Sequence, residues 1–255
     1  MRQSPRTAAG FTLIELLTVI AILGILAALL FPTVGAALDR AKRSADGANI
    51  REIAKAAMIY AQDNADKLPD PTVTTPLTAP QRAQLWPGVI ARNGILMDPK
   101  VYFSKLDPFF SGTYPISIIN STLASNVAKN SLDSTFTGGG VSPSYEFVGG
   151  LKTSDPATSP VVYTRGLQTN GTWSVTSGTY KDTGGYIAYL GGNVEFYNSL
   201  VTPAAVLTSN NSGRKISNIQ QAIPFSPTVT RLWGVPPSGQ AILGSANGTS
   251  AQRGP

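Results

Sequence analysis

One uninterrupted apolar run dominates the hydrophobic pattern of this chain. The 21 residues from Phe11 to Phe31 contain a single charge, Glu15, which lies four positions after Phe11. As a helix that rises about 1.5 Å per residue, such a run extends roughly 31 Å, which matches a hydrocarbon layer about 30 Å thick. The pattern therefore predicts a transmembrane helix over residues 11–31 that carries one carboxylate close to its start.

A stripe of helical period follows the apolar run and predicts an amphipathic continuation of the same helix over residues 32–68. The sequence Leu68-Pro69-Asp70-Pro71 ends this pattern. The stripe consists of Ile50, Ile53, Ala54, Ala57, Met58 and Ala61.

Two residues punctuate the long helix. Pro32 has no N–H to donate to the carbonyl of Ala28. Gly24 has a more flexible backbone, which makes the helix about 1 kcal/mol less stable than alanine would at this position. These positions predict either a kink or a local loss of helicity, and both alternatives stay open.

The remainder of the chain has the short alternating runs and turn residues of an antiparallel sheet. Two of these runs flank Gly191-Gly192, and this pair predicts a hairpin because such turns need positive φ. Short helices are predicted at residues 81–91, 202–210 and 216–223. We therefore expect an α+β fold in which the long helix packs on a small sheet head with irregular loops, residues 69–235, followed by a flexible tail, residues 236–255. The predicted strands are residues 144–148, 161–165, 186–190 and 193–197.

The composition narrows the chemistry that this chain can perform. It contains no Cys and no His, which excludes disulfides, the usual zinc sites and Ser-His-Asp triads. We therefore expect neither an enzyme nor a bound cofactor or metal ion. The formal charge is +6, and it falls to +4 once residues 1–10 are removed, so a dedicated nucleic-acid surface is not indicated.

The sequence Gly10-Phe11-Thr12-Leu13-Ile14-Glu15 resembles the processing site of type IV pilins and type II secretion pseudopilins. The resemblance implies that residues 1–10 are a leader, that the prepilin peptidase cleaves after Gly10, and that Phe11 becomes N-methylated. It also implies that Glu15 is an assembly residue, paired with the amine of Phe11 in its own chain or in the next subunit. Family members carry a Gly and a Pro at positions that correspond to Gly24 and Pro32.

The same resemblance predicts the partners and the location. The expected partners are further copies of the chain in a helical filament, the prepilin peptidase, an inner-membrane assembly platform, and the bilayer before assembly. We expect a single span in the inner membrane, with a cytoplasmic N-terminus and a periplasmic head. This orientation rests on the resemblance, because Arg40, Lys42 and Arg43 follow the span and the charges alone favour no such orientation.

Two alternatives remain at this point. An ordinary secretory signal would be cleaved near Val34-Gly35-Ala36, but the apolar run is too long and a signal core rarely contains Glu. Within the pilin-like family, a secretion-type pseudopilin is favoured by the hairpin at residues 189–195, which resembles a C-terminal segment of those proteins, and by the absence of Cys. The alternative is a type IV minor pilin that acts as a membrane-anchored binding protein in adhesion or DNA uptake.

Overall fold

The computed structural model describes residues 11–70, 82–120, 131–138, 142–201, 205–224 and 230–232. It divides the chain into two compact units, Met1–Lys42 and Arg43–Pro255. The helices are α1 (Leu13–Gln62), α2 (Arg82–Arg92), a 3₁₀ turn (Pro99–Tyr102), α3 (Ser134–Thr137) and α4 (Ile219–Ala222), and the strands are β1 (Tyr145–Gly149), β2 (Pro160–Thr164), β3 (Thr179–Asp182), β4 (Gly185–Tyr189), β5 (Val194–Tyr197), β6 (Leu207–Thr208), β7 (Lys215–Ile216) and β8 (Thr230–Leu232).

Helix α1 spans 50 residues, and its backbone stays helical at both Gly24 and Pro32. Both alternatives at these positions, a kink and a loss of helicity in the assembled state, stay predictions. The predicted apolar stripe is confirmed, because its members are fully or largely buried in the core of the second unit, with Met58 partly buried against it.

The helix ends at Gln62, six residues before the end predicted from the apolar pattern. The Asn64 side chain donates to the carbonyl of Tyr60 at 2.8 Å, and the N–H of Asp66 donates to the carbonyl of Ala61 at 3.0 Å. Both Ala65 and Asp66 have positive φ, 53° and 58°. A left-handed turn of this kind satisfies the last carbonyls of a helix and stops it.

The main sheet has five strands in the order β5-β4-β2-β1-β8, and all neighbouring pairs within it are antiparallel. The predicted hairpin is confirmed as β4 and β5, with Tyr186 opposite Phe196 and Ala188 opposite Val194. Gly192 in its turn has φ +87°, as the glycine pair indicates. Together with the helices, this sheet confirms the predicted α+β class.

The C-terminal part of the head differs from the prediction in two places. Residues 202–210 were expected to form a helix, but Leu207–Thr208 instead pairs with Lys215–Ile216 as a second, two-stranded sheet. Strand β8, which pairs with β1, has no counterpart among the predicted strands. Local propensity favoured a helix in the first case, but Leu207 pairs with Ile216 in a short local hairpin, whereas β8 depends on pairing with the distant β1. The predicted tail, residues 236–255, lies outside the described residues.

Aromatic contacts join α1 and α2 to the main sheet within the second unit. Trp86 of α2 stacks on Phe147 of β1 with ring centroids 4.7 Å apart. On α1, the guanidinium of Arg43 lies 5.5 Å from the ring centroid of Tyr180 and 5.6 Å from that of Phe196. Such cation–π contacts stabilise by about 0.5–2 kcal/mol, depending on how far the cation is desolvated. They place the start of the packed part of α1 at Arg43.

Candidate assembly site at the start of the long helix

The first turn of α1 is held by a reciprocal set of hydrogen bonds. Thr12 immediately precedes the helix, and Glu15 is its third residue. The carboxylate Oε2 of Glu15 accepts from the backbone N–H of Thr12 at 2.9 Å and from its hydroxyl at 2.6 Å. The backbone N–H of Glu15 in turn donates to the Thr12 hydroxyl oxygen at 3.3 Å. This is a capping box, which satisfies donors that the start of a helix otherwise leaves open.

The capping box gives Glu15 a structural partner that the analysis of the sequence missed. The signal was present, because Thr-x-x-Glu before an apolar run is the sequence signature of this motif. Both side-chain bonds fall on Oε2, and no hydrogen bond from the described residues falls on Oε1 of Glu15. Glu15 can therefore keep its cap and still accept a donor from another molecule.

The helix surface around this cap is apolar and exposed. The side chain of Phe11 is 72% exposed. None of the stretch Leu13–Phe31 is buried within the chain, and it is long and apolar enough to cross a membrane. An ideal Cβ at Gly24 would contact nothing within 4 Å. The predicted cleavage residue, Gly10, and the rest of the leader lie outside the described residues. The described part of this site thus consists of an apolar surface with one carboxylate near its start.

A buried ion pair forms the polar centre of the head, and no local sequence pattern predicts it. The Arg165 guanidinium contacts the Asp107 carboxylate at 2.5 Å, with both side chains almost fully buried. Arg165 also donates to the carbonyls of Pro143 and Ser177, and Asp107 accepts from the Ser144 hydroxyl at 2.6 Å. Because the pair is desolvated, removing one partner would leave an uncompensated charge at a cost of about 3–5 kcal/mol. The arrangement is structural.

The network extends to helix α1 through Asp46. Its Oδ2 accepts from the Ser104 hydroxyl at 2.5 Å and from the Tyr180 hydroxyl at 2.8 Å. Burial raises the pKa of Asp46, while the hydrogen bonds from Ser104 and Tyr180 lower it. Asp46 thereby ties the packed half of α1 to the loop after the 3₁₀ turn and to β3.

Glu146 on β1 is a third buried carboxyl, and none of the roles expected from the sequence falls on it. Its Oε1 accepts from the backbone N–H of Gly166 at 3.2 Å. Burial raises its pKa to about 8, although the Gly166 hydrogen bond acts in the opposite direction. In the folded head Glu146 therefore keeps its proton to a higher pH than a solvent-exposed glutamate does. Among the described residues, no three acidic side chains converge as a metal site would require.

The model of one protein family matches the chain, over residues 5–31, and its description is the prokaryotic N-terminal methylation motif. The matched segment contains Gly10, after which cleavage is predicted, together with the exposed Phe11 and the capped Glu15. The predicted resemblance to prepilins at the N-terminus is therefore confirmed.

Two curated proteins resemble the chain over 59 residues. One is the type II secretion system core protein G of Pseudomonas aeruginosa, 48% identical over 23% of this chain and 42% of the relative. The other is the type IV wide pilus major component PilA4 of Thermus thermophilus, 49% identical over 23% of this chain and 45% of the relative. The match thus spans less than half the length of either relative. Both are named as components of assemblies rather than as enzymes, in agreement with the prediction that this chain is not an enzyme. No solved structure matches the chain significantly.

Proposed function

We propose that this chain, whose N-terminus carries the prokaryotic methylation motif, is a structural subunit of a pilus-like filament. The prepilin peptidase cleaves it after Gly10, Phe11 becomes N-methylated, and the subunits assemble through α1. The observation that carries this proposal is the exposed apolar helix with a single capped carboxylate, located inside the segment that matches the motif.

Assembly follows from the chemistry of the new N-terminus. Cleavage leaves a positively charged amine on Phe11, and methylation keeps that charge. A carboxylate in the membrane costs about 2–3 kcal/mol if it has no partner. The Oε1 atom of Glu15 is the free acceptor for the amine of a neighbouring copy, because Oε2 is held by Thr12. The pair would set the axial register of subunits, while their apolar surfaces replace lipid.

The bilayer holds the subunit before assembly in this proposal. The N-terminus faces the cytoplasm, where the peptidase acts, and the head lies on the opposite side of the inner membrane. An assembly platform in that membrane then draws the subunit into the filament. The length and apolar composition of Leu13–Phe31 support the membrane-anchored state.

The test of the assembly role is to remove the charge of Glu15 while keeping its shape. The Glu15→Gln and Glu15→Val variants should both insert into the membrane and be processed, yet assemble at a small fraction of the wild-type yield. Thr18→Val is the matched control, because it removes a different polar group from the same part of the helix. Among the described residues, the Thr18 hydroxyl donates to the carbonyl of Glu15 alone. Normal filament yield from Glu15→Gln, measured by shearing and sedimentation, would refute the role of the charge.

Among pilus-like filaments, we favour a secretion-type pseudopilus, of which the short filament stays in the periplasm. The similarity to a secretion core protein, the β4–β5 hairpin and the absence of Cys support this branch. The similarity to a pilus component favours an extracellular type IV pilus as the second candidate. Imaging of cells that express the wild-type chain separates them, since long surface fibres indicate a pilus and short periplasmic fibres a pseudopilus.

A further inference from the structure

An exposed hairpin tip in the head carries an asparagine in the sequence context that N-linked glycosylation requires. The chain has four Asn-x-Ser/Thr sequences, which begin at Asn120, Asn170, Asn210 and Asn247. In such a sequence the asparagine side chain accepts the sugar, and the site must lie on an accessible loop of an exported domain. The structure describes two of them in full, those of Asn170 and Asn210, and these two differ in exposure and in hydrogen bonding.

Asn170 lies at the tip of a tight turn. Residues 168–170 are exposed, and the turn is closed by the hydrogen bond from the Gly171 N–H to the Gln168 carbonyl at 3.0 Å. Gly171 has φ +85°, and a Cβ there would approach atoms of Ser217 to 2.8 Å, so the middle position of the sequence must be glycine. The tip is thereby held in one conformation on the surface, where enzymes gain access to a folded chain.

The side chains of this turn leave the amide nitrogen of Asn170 open to other molecules. The oxygen Oδ1 of Asn170 accepts from the backbone N–H of Thr172 at 3.0 Å and from its hydroxyl at 2.8 Å. The amide nitrogen Nδ2 has no hydrogen-bond partner among the described residues. Two donors on Oδ1 polarise the amide, which makes its N–H groups easier to deprotonate, and they present Nδ2 to the solvent.

The Asn210 sequence, which the structure also describes in full, lacks this arrangement. Asn210 is half-buried, and its backbone N–H donates to the carbonyl of Gln221. The hydroxyl oxygen of Ser212, two positions on, accepts instead from the N–H of Arg214 at 3.4 Å. Asn120 is also half-buried, and its partner position Thr122 lies outside the described residues, as does Asn247.

We propose that Asn170 is a glycosylation site of the exported head, and that the sugar comes from a polyprenyl-diphosphate-linked donor. The Nδ2 atom of Asn170 attacks the anomeric carbon, and the C–O bond to the diphosphate breaks as the new C–N bond forms. The diphosphate leaves with the electron pair, and one amide proton passes to a base of the transferring enzyme. The inference rests on the proposed function, because the head must leave the cytoplasm to meet such a donor.

The test is mass spectrometry of the full chain purified from membranes of its native host. Tryptic digestion separates the two sites, because Asn170 falls in the peptide of residues 166–181 and Asn210 in that of residues 182–214. The first peptide should carry a mass increase equal to one or more sugar residues, and the second should have its unmodified mass. The increase should disappear in Asn170→Gln and in Thr172→Ala, and persist in Thr172→Ser, which keeps the hydroxyl.

The N-terminal peptide of the same sample separates the two proposals. An unmodified 166–181 peptide from a chain that begins with N-methyl-Phe11 overturns the glycosylation site alone. A chain that still begins at Met1 overturns the proposed processing. A mass increase that survives in both Asn170→Gln and Thr172→Ala places the sugar on a serine or threonine and likewise overturns the site.

Discussion

At the scale of single residues, Thr12 and Glu15 form one unit. Their hydrogen bonds are reciprocal, and the carboxylate that we propose for assembly is also the acceptor in the cap of the helix. The cap fixes the rotamer of Glu15 before any second subunit arrives. Thr12 is therefore a positioning residue for the proposed pair, and its hydroxyl can be tested separately from the charge of Glu15.

Replacing Thr12 by valine should loosen the first turn of α1. The substitution keeps the shape of the side chain but removes the hydroxyl, and the loss of such a cap costs about 1 kcal/mol. Backbone amides of the first turn should then exchange with deuterium roughly five times faster in detergent micelles. Thr12→Ser keeps the hydroxyl and should exchange like the wild type. Equal exchange in the valine and serine variants would contradict the capping role.

The raised pKa of Glu146 predicts how the free energy of unfolding of the head depends on pH. Burial raises this pKa from the ordinary value of 4.5 to about 8 in the folded chain. Between these two values the folded state holds a proton that the unfolded state has released, so the free energy of unfolding falls as the pH rises. The contribution of Glu146 is complete below about pH 4.5 and is lost by about pH 8.

The matching experiment follows urea unfolding of the mature chain in detergent between pH 5 and about 8. The wild type should lose stability over this range, and Glu146→Gln should flatten the loss because its side chain stays neutral. The exposed Glu52→Gln variant is the control for a lost carboxylate on the surface. An unchanged slope in Glu146→Gln would show that Glu146 is not the titrating group.

At the scale of elements, the long helix was predicted from the sequence more completely than the rest of the fold. The apolar run is continuous, and the stripe from Ile50 to Ala61 repeats at helical spacing. Both are local patterns that predict a helix directly. The end of the helix was missed, because it depends on two residues, Ala65 and Asp66, that adopt positive φ although neither is glycine. Asp is enriched at such positions but Ala is not, so the sequence signal for this turn is incomplete.

The packing of α1 on the sheet depends on a glycine that the pattern does not mark. An ideal Cβ at Gly47 would lie 3.1 Å from the ring of Tyr186 on β4. Gly47→Leu should therefore overpack this contact and destabilise the head by about 1–3 kcal/mol, as a lower thermal midpoint would show. Gly35→Leu is the matched control, since a Cβ there meets nothing within 4 Å. An equal effect of the two variants would argue against close packing at Gly47.

The sheet illustrates the limit of what a sequence allows. Gly191-Gly192 between two alternating runs predicts a hairpin, because both strands and the turn lie within about a dozen residues. Strand β8 and the pair of β6 and β7 were missed, since each is two or three residues long and is defined by its partner. The same holds for Asp107 and Arg165, which lie 58 positions apart in the chain. Contacts of such separation leave no local period to detect.

At the scale of the whole molecule, the two units differ in their features and in how far known proteins resemble them. The unit Met1–Lys42 contains the matched motif, the apolar surface and the capped Glu15. The unit Arg43–Pro255 is held by an apolar core and a buried polar network, and neither curated relative matches most of it. The similarity to known proteins thus supports the proposed processing and assembly through the first unit, and it carries little about the head.

The mass of the mature N-terminus tests the central claim most directly. The chain should be isolated from membranes under mild conditions, digested, and its first peptide sequenced by tandem mass spectrometry. The account predicts that the peptide begins with N-methyl-Phe11, since cleavage after Gly10 and methylation are the two steps that the motif implies. A mature chain that begins at Ala36 or Ala37, as a secretory signal would produce, or one that retains Met1, would contradict it.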